Sequence, residues 1–309
     1  MKKVLSVLSI IVFTIILMGC EFGGGDKSYK VIVPTGAPSL AIANFIQEKE
    51  ENVTVDIVSG SEPLTAAFTN ADYDIIVAPV NLGLKFYNSV ESFKYSFYKP
   101  IVGCNFYILS TEVSSIEELD GKSMHAFNKM ATPGVMLQTI FGHYDLNVDV
   151  TYESSVTVAN SLLTAGEAKT ILTAEPSKTT LMSKNNYHVI DIAAIWREIS
   201  GHNYNALQAG VFVKSELKND RNVKNMLEEM ENSIELAYTN PLKLAEAAKA
   251  VDDGFAKQTV ENLTKAIPNC NFLRHELNKE EVAYYFQKIM DLGMQGSFGG
   301  KLPDEGFYY

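Results

Sequence analysis

Lys30-Val31-Ile32-Val33-Pro34-Thr35-Gly36-Ala37-Pro38-Ser39 leads into Leu40, Ile42, Ala43, Phe45 and Ile46. The β-branched run predicts a strand, the Pro/Gly/Ser stretch a tight turn, and the apolar residues at helical spacing a helix. The pattern repeats at once. Thr54-Val55-Asp56-Ile57-Val58 runs into Ser59-Gly60-Ser61-Glu62-Pro63, after which Leu64, Ala67 and Phe68 fall on one helical face. Asp74 to Ala78 reads as a third strand, ending at Pro79-Val80-Asn81 before another helix. Strands that alternate with helices predict an α/β fold with a mainly parallel sheet covered on both faces.

A second alternating series begins near Asn105-Phe106-Tyr107-Ile108-Leu109. Ser115-Ile116-Glu117-Glu118 matches a capping box for a short helix. Ser123 to Phe127 predicts a strand, Asn128 to Gly134 a loop, Val135 to Phe141 a helix, Val148 to Tyr152 a strand and 156–165 a helix. Thr170 to Thr173 is a strand that stops at Ala174-Glu175-Pro176, and Leu207 to Val213 reads as a strand returning to the first lobe. From 219 to 292 the periodicity is helical almost throughout, with no repeat of fixed length.

The start of the chain fixes the compartment. Lys2 and Lys3, a short apolar run, Leu17-Met18-Gly19-Cys20 and a glycine-rich stretch read as a lipoprotein signal peptide (1–19), a lipidated Cys20 and a flexible tether (20–26). This places the body on the extracytoplasmic face of a bacterial membrane. Cleavage leaves 290 residues and shifts the net charge from −11 to −13. That length suits two lobes. An acidic chain without basic runs argues against nucleic acid as a partner, since such binding rests on clustered Lys and Arg. Cys104 and Cys270 read as two buried free thiols, with a pairing left open.

Ligands of open α/β sheets sit where loops leave the carboxyl ends of the strands. Four such loops stand out: Thr35 to Ser39, Ser59 to Ser61, Asn128 to Pro133 and Ala174 to Ser177. Each offers hydroxyls or N–H groups beside a helix start, although helix starts need such residues even without a ligand. The five histidines are scattered, and no His-Glu-x-x-His, paired-Cys, Gly-x-Ser-x-Gly, Gly-x-Gly-x-x-Gly or phosphate-loop motif occurs, so no metal, cofactor or catalytic residue is assigned. Tyr107, Phe127, Tyr152, Tyr204 and Trp196 read as packing residues before ligand contacts.

Pro34 to Ser39, Asp72 to Pro79, Ser115 to Lys122 and Ala174-Glu175-Pro176 together resemble the solute-binding lipoproteins of ABC importers, particularly the thiamine-precursor, nitrate and aliphatic-sulfonate group. Gly299 to Tyr309 is similar to the ending of related proteins. The resemblance implies a two-lobed type II periplasmic-binding-protein fold: residues 27–103 plus 215–309 as lobe 1, 104–214 as lobe 2, and two crossing segments as a hinge. It further implies a monomer that traps a small molecule between the lobes and docks on ABC permease subunits. The implied ligand contacts are Thr35, Ala37, Ser39, Ser59, Ser61 and Asn81 from one lobe and Asn128, Thr132 and Glu175 from the other. With Lys129 and Glu175 as the only charges in these loops, a small aromatic or heterocyclic nutrient is expected, an amine held by Glu175 being as acceptable as a sulfonate. The rival readings are an enzyme on the same fold, similar to menaquinone-pathway or pyrimidine-precursor-synthesis proteins, and a ligand-sensing lipoprotein outside transport.

Overall fold

The computed structural model describes residues 27–129 and 131–309; the segment read as a signal peptide (1–19), Cys20 and the expected tether lie outside the described residues. The first sheet is built from β1 (Tyr29–Pro34), β2 (Val53–Val58), β3 (Ile75–Pro79), β4 (Tyr95–Gly103) and a strand from much later in the chain, Leu207–Lys214. The second contains β5 (Phe106–Ser110), β6 (Ser123–Phe127), β7 (Asp149–Glu153), β8 (Thr170–Ala174) and β9 (His188–Asp191), which makes Leu207–Lys214 the tenth strand, β10. Strand orders are β2-β1-β3-β10-β4 and β7-β6-β8-β5-β9.

These two orders are the same pattern. In each, three strands pair in parallel (β2, β1, β3; β7, β6, β8), and a fourth inserts antiparallel beside the third (β10; β5). The inserted strand is the one that has just crossed from the other sheet, so it enters from the opposite end and must run against its neighbours. Leu207–Lys214 therefore pairs with β3 and β4, on the first sheet, whereas the sequence division places 207–214 at the end of lobe 2.

The central strands of both sheets are buried on both faces, as their apolar runs predict, whereas the edge strands β2, β7 and β9 leave alternate residues exposed or half-buried. On the first sheet Val31, Val33, Ile75 and Val77 pack on α1 (Ala37–Ala41), α2 (Ala43–Glu48) and the later helices described below. The alternate residues Ile32, Ile76 and Ala78 pack on α3 (Glu62–Asn70) and α4 (Val80–Ser89). On the second sheet Met124, Ala126, Ile108 and Leu172 face α5 (Thr132–His143), and Leu109 and Ile171 face α6 (Val156–Ala165) and α7 (Ser177–Met182). Helix α8 (Ile192–Ser200) carries Trp196, buried as a packing residue whose indole N–H donates to the Tyr204 carbonyl at 3.1 Å.

The helical stretch after β10 resolves into α9 (Arg221–Thr239), α10 (Pro241–Val251), α11 (Val260–Ala266) and α12 (Lys279–Asp291). Helices α9 and α10 belong to the first sheet. Helix α12 does not: Tyr284 and Tyr285 pack edge-on against Trp196, and Tyr284 donates to the Ser200 carbonyl at 3.0 Å. The division at 215–309 is thus crossed by α12, which leans on the second sheet's helices. Cys104 and Cys270 are both buried free thiols, packed in separate apolar clusters, and burial pushes the Cys104 thiol up to about 12. The predicted capping box does not form, since the turn has no side-chain cap. The Glu118 carboxylate accepts from Ser114 N–H at 2.7 Å, and the turn it closes is a 3-10 turn, Glu117–Leu119.

Strand β4 escapes the sequence pattern because Pro100 interrupts it; as an edge strand it tolerates the missing donor. Its outer edge is not left bare. Leu273 N–H donates to Ile101 O at 2.9 Å and Tyr309 N–H to Phe97 O at 2.8 Å, so later chain covers unpaired carbonyls. The tail 299–309 accordingly anchors itself in the core through Phe307 and Tyr308, while most of its other residues stay exposed. Phe307 is fully buried and stacks on Phe97 with ring centroids 5.2 Å apart, Asn88 donates to Phe298 O and Lys301 O, and Tyr87 donates to Asp304. Replacing Phe307 by Ala removes a filled core volume, and chemical denaturation is expected to show a loss of about 3–5 kcal/mol; a loss under 1 kcal/mol would mean the tail packs only loosely.

Candidate functional site

The two sheets point the ends of their strands at each other. Thr132, at the start of the helix after β6, donates from Oγ1 to Leu207 O, the first residue of β10, at 3.3 Å. Glu175, just past β8, donates its N–H to Asn105 O at 3.1 Å. Cys104 N–H donates to Ala206 O at 2.7 Å, binding the two crossing segments side by side. The carboxyl ends of β3, β6 and β8 and the first residues of β5 and β10 thus converge around one junction, where ligands of this sheet type bind.

In the first lobe the turn after β1 is organised from within. Gly36 sits at φ 106°, a backbone region a side chain disfavours, and opens α1. The Thr35 hydroxyl donates to both carboxylate oxygens of Asp252 (3.1 and 2.9 Å), and the Ser39 hydroxyl to Asp252 Oδ2 at 2.5 Å. Asp252 is buried, and Gly254 packs so closely that a Cβ there would lie 2.3 Å from Thr35 Oγ1. The two hydroxyls proposed for a ligand are therefore engaged in holding the turn, while Ala37 is buried beneath it. Ser59 and Ser61 are exposed at the end of β2, and Ser61, the residue before α3, makes no side-chain cap. Asn81 is buried in the first turn of α4.

In the second lobe Asn128 is exposed at φ 52°, and its carbonyl accepts from Ala131 N–H at 3.0 Å. Asparagine tolerates that conformation better than most residues. Thr132 is buried, accepting from Tyr285 OH at 3.3 Å as it donates to Leu207 O. Glu175 is also buried, with its carboxylate turned onto its own helix: it accepts from Thr179 N–H (3.1 Å) and Thr179 Oγ1 (2.8 Å), and Lys178 Nζ stands 3.4 Å away. Burial outweighs these contacts and raises the Glu175 pKa above the ordinary carboxylate value.

Three residues at this junction were not singled out from sequence. Lys178 lies over the Tyr107 ring at 4.6 Å as well as beside Glu175; it stands one residue past the loop considered. Asp252 follows a helix two hundred residues from the hydroxyls it binds, a pairing no local pattern announces. Gln208 lies inside an apolar strand, where its polarity amid Leu207, Ala209 and Val211 is a signal that could have been followed. Asn269 O accepts from Tyr107 OH at 3.3 Å, and Gln258 Oε1 from Thr180 Oγ1 at 3.1 Å, so first-sheet segments also touch α7 and β5.

These features define a two-lobed α/β binding-protein fold. An ABC transporter protein from Parabacteroides distasonis is similar in structure, with TM-score 0.77 and 20% identity over 92% of this chain and 99% of that one. The periplasmic aliphatic sulphonate binding protein SsuA of Escherichia coli is similar at TM-score 0.70 and 10% identity, over 91% of each chain. The alkanesulfonate-binding protein SsuA of Xanthomonas axonopodis pv. citri, solved bound to MOPS, is similar at TM-score 0.63 and 12% identity over 91% of this chain and 96% of that one. No curated protein matches the chain by sequence. A family model described as menaquinone biosynthesis matches residues 61–293, and the chain belongs to that family.

The raised Glu175 pKa carries a stability signature. Folding favours the protonated acid, so the stabilisation is fully present below the unfolded pKa of about 4.3 and is lost as pH rises through the folded value. Glu175→Gln does not titrate; its melting temperature relative to wild type is expected to rise between pH 4 and pH 7. A difference that stays flat or falls over that range contradicts the assignment.

Proposed function

We propose that the chain is an extracytoplasmic, lipid-anchored solute-binding protein. It captures a small nutrient between its two lobes and presents it to the permease of an ABC importer. One observation carries this reading: strand ends from both sheets meet at a junction held by two adjacent crossings, the arrangement in which a ligand contacting both lobes stabilises their closed state. The fold shared with ABC-transporter binding proteins supports it. Among the described residues no helix is long and apolar enough to cross a membrane, and in this proposal Cys20 supplies the attachment, its acyl chains giving stable anchoring.

In this reading the lobes comprise roughly 27–103 with most of 207–309, and 104–206 with α12 leaning on it, in a monomer. Thr35, Ala37 and Ser39 act through the turn they shape, Ser59, Ser61 and Asn128 as exposed polar contacts, and Asn81, Thr132 and Glu175 as the buried rim. The second reading is an enzyme on this fold, and membership of the menaquinone biosynthesis family favours it. Glu175, a buried acid of raised pKa, is its candidate proton donor.

A thermal-shift screen of residues 21–309 against thiamine precursors, pyrimidines, sulfonates, nitrate and amino acids tests both. Ligand at a hundredfold excess over Kd adds about 2.7 kcal/mol, enough to raise the melting point by several degrees. One compound that binds and is recovered unchanged supports the solute-binding reading. Conversion of a bound compound, abolished in Glu175→Gln, establishes the enzyme instead.

A further inference from the structure

The matching strand orders make β5 and β10 equivalent, since each is the antiparallel strand inserted beside the third parallel one. Pairing Phe106 with Ala174 sets Asn105 across from Glu175, and pairing Ala209 with Pro79 sets Gln208 across from Val80. Asn105 and Gln208 thus occupy the same place in the two sheets, each just beyond the carboxyl end of the central parallel strand. Gln208 also sits at an irregularity of the β10–β4 pairing, between Leu207 and Ala209, a distortion of the sort that re-aims a side chain beside a site.

Both amides share a second property. Asn105 is 1% exposed, yet no protein donor reaches its Oδ1, and the buried Oε1 of Gln208 likewise has no hydrogen-bond partner. The Asn105 amide nitrogen points at the Glu175 carbonyl, 3.5 Å away, which leaves the oxygen as the amide's unpaired acceptor. Unsatisfied buried acceptors cost free energy unless something donates to them. The nearby cations are turned elsewhere: Lys178 to Glu175 and the Tyr107 ring, Lys129 over the Tyr152 ring at 5.7 Å.

We propose that Asn105 and Gln208 are a symmetry-related pair of acceptors, one from each sheet, that recognise the N–H groups of an amino-substituted nitrogen heterocycle. This deepens the cleft-binding reading and rests on it. An ionised sulfonate or nitrate offers no donor to either oxygen and is disfavoured at this pair. An N–H-bearing ligand joins the two sheets through one hydrogen bond to each.

The test is calorimetry and thermal melting with four probes, cytosine, adenine, ethanesulfonate and nitrate, on wild type, Gln208→Met and Asn105→Leu. At least one heterocycle is expected to bind wild type, and Gln208→Met is expected to weaken it tenfold or more. The melting point of free Gln208→Met should equal or exceed that of wild type, because an unpaired acceptor has been removed; a merely structural glutamine would lower it. Asn105→Leu provides the second-sheet counterpart, and Gln208→Met decides alone should Asn105→Leu not fold. Heterocycle affinity unchanged in Gln208→Met, or a lowered melting point of the free variant, overturns the proposal. Binding of ethanesulfonate or nitrate without either heterocycle overturns it while leaving cleft binding standing. Binding by none of the four also overturns it, and the broader screen then decides cleft binding separately.

Discussion

The hydrogen bond from Cys104 N–H to the Ala206 carbonyl joins the two segments that pass between the sheets, and much of the molecule is organised around it. Asn271 reinforces the junction: its carbonyl accepts from Gly103 N–H, and its side-chain amide donates to the Cys104 carbonyl at 2.9 Å and to Asn205 Oδ1 at 3.3 Å. Because the crossings run side by side, each enters the opposite sheet beside its third parallel strand. That constraint generates the repeated strand order, directs the carboxyl ends of both sheets at the junction, and places equivalent residues of β5 and β10 on either side of it.

Polar residues around the junction divide by what already holds them. Thr35 and Ser39 give their hydroxyls to Asp252, Thr132 gives its own to Leu207, and the Glu175 carboxylate is spent on Thr179 and Lys178. Such bonds fix the loops in place, which is a precondition for a preorganised site. The groups with capacity left over are the exposed serines 59 and 61, Asn128 and the oxygens of Asn105 and Gln208. In the proposed site a ligand would be met by these few unengaged groups, on loops whose other polar atoms are occupied.

Much of this was legible in the sequence. The alternation from Lys30 to Asn81 predicts β1 to β3 and their helices, and the second series predicts β5 to β8, because short apolar or β-branched runs closed by turn residues mark the strands. Strand β4 was hidden by Pro100, acceptable only because the strand lies at an edge, a fact of sheet order invisible locally. The return of β10 to the first sheet was legible, but its boundary was not, since the crossing is set by Ala206 bonding to Cys104 one hundred residues earlier. The site was half legible. Loop positions follow from strand ends, whereas the engagement of Thr35 and Ser39 by Asp252 and the unpaired buried acceptor on Asn105 depend on contacts between distant segments. The aromatic tail carried no local pattern that announced Phe307 as core.

The most direct measurement is a crystal structure of the chain with the compound giving the largest thermal shift. The account predicts ligand density between the ends of β3 and β8, in contact with residues of both sheets. Density confined to one lobe, or seated away from the crossings in the groove beside Tyr29 and Asn52, would contradict it.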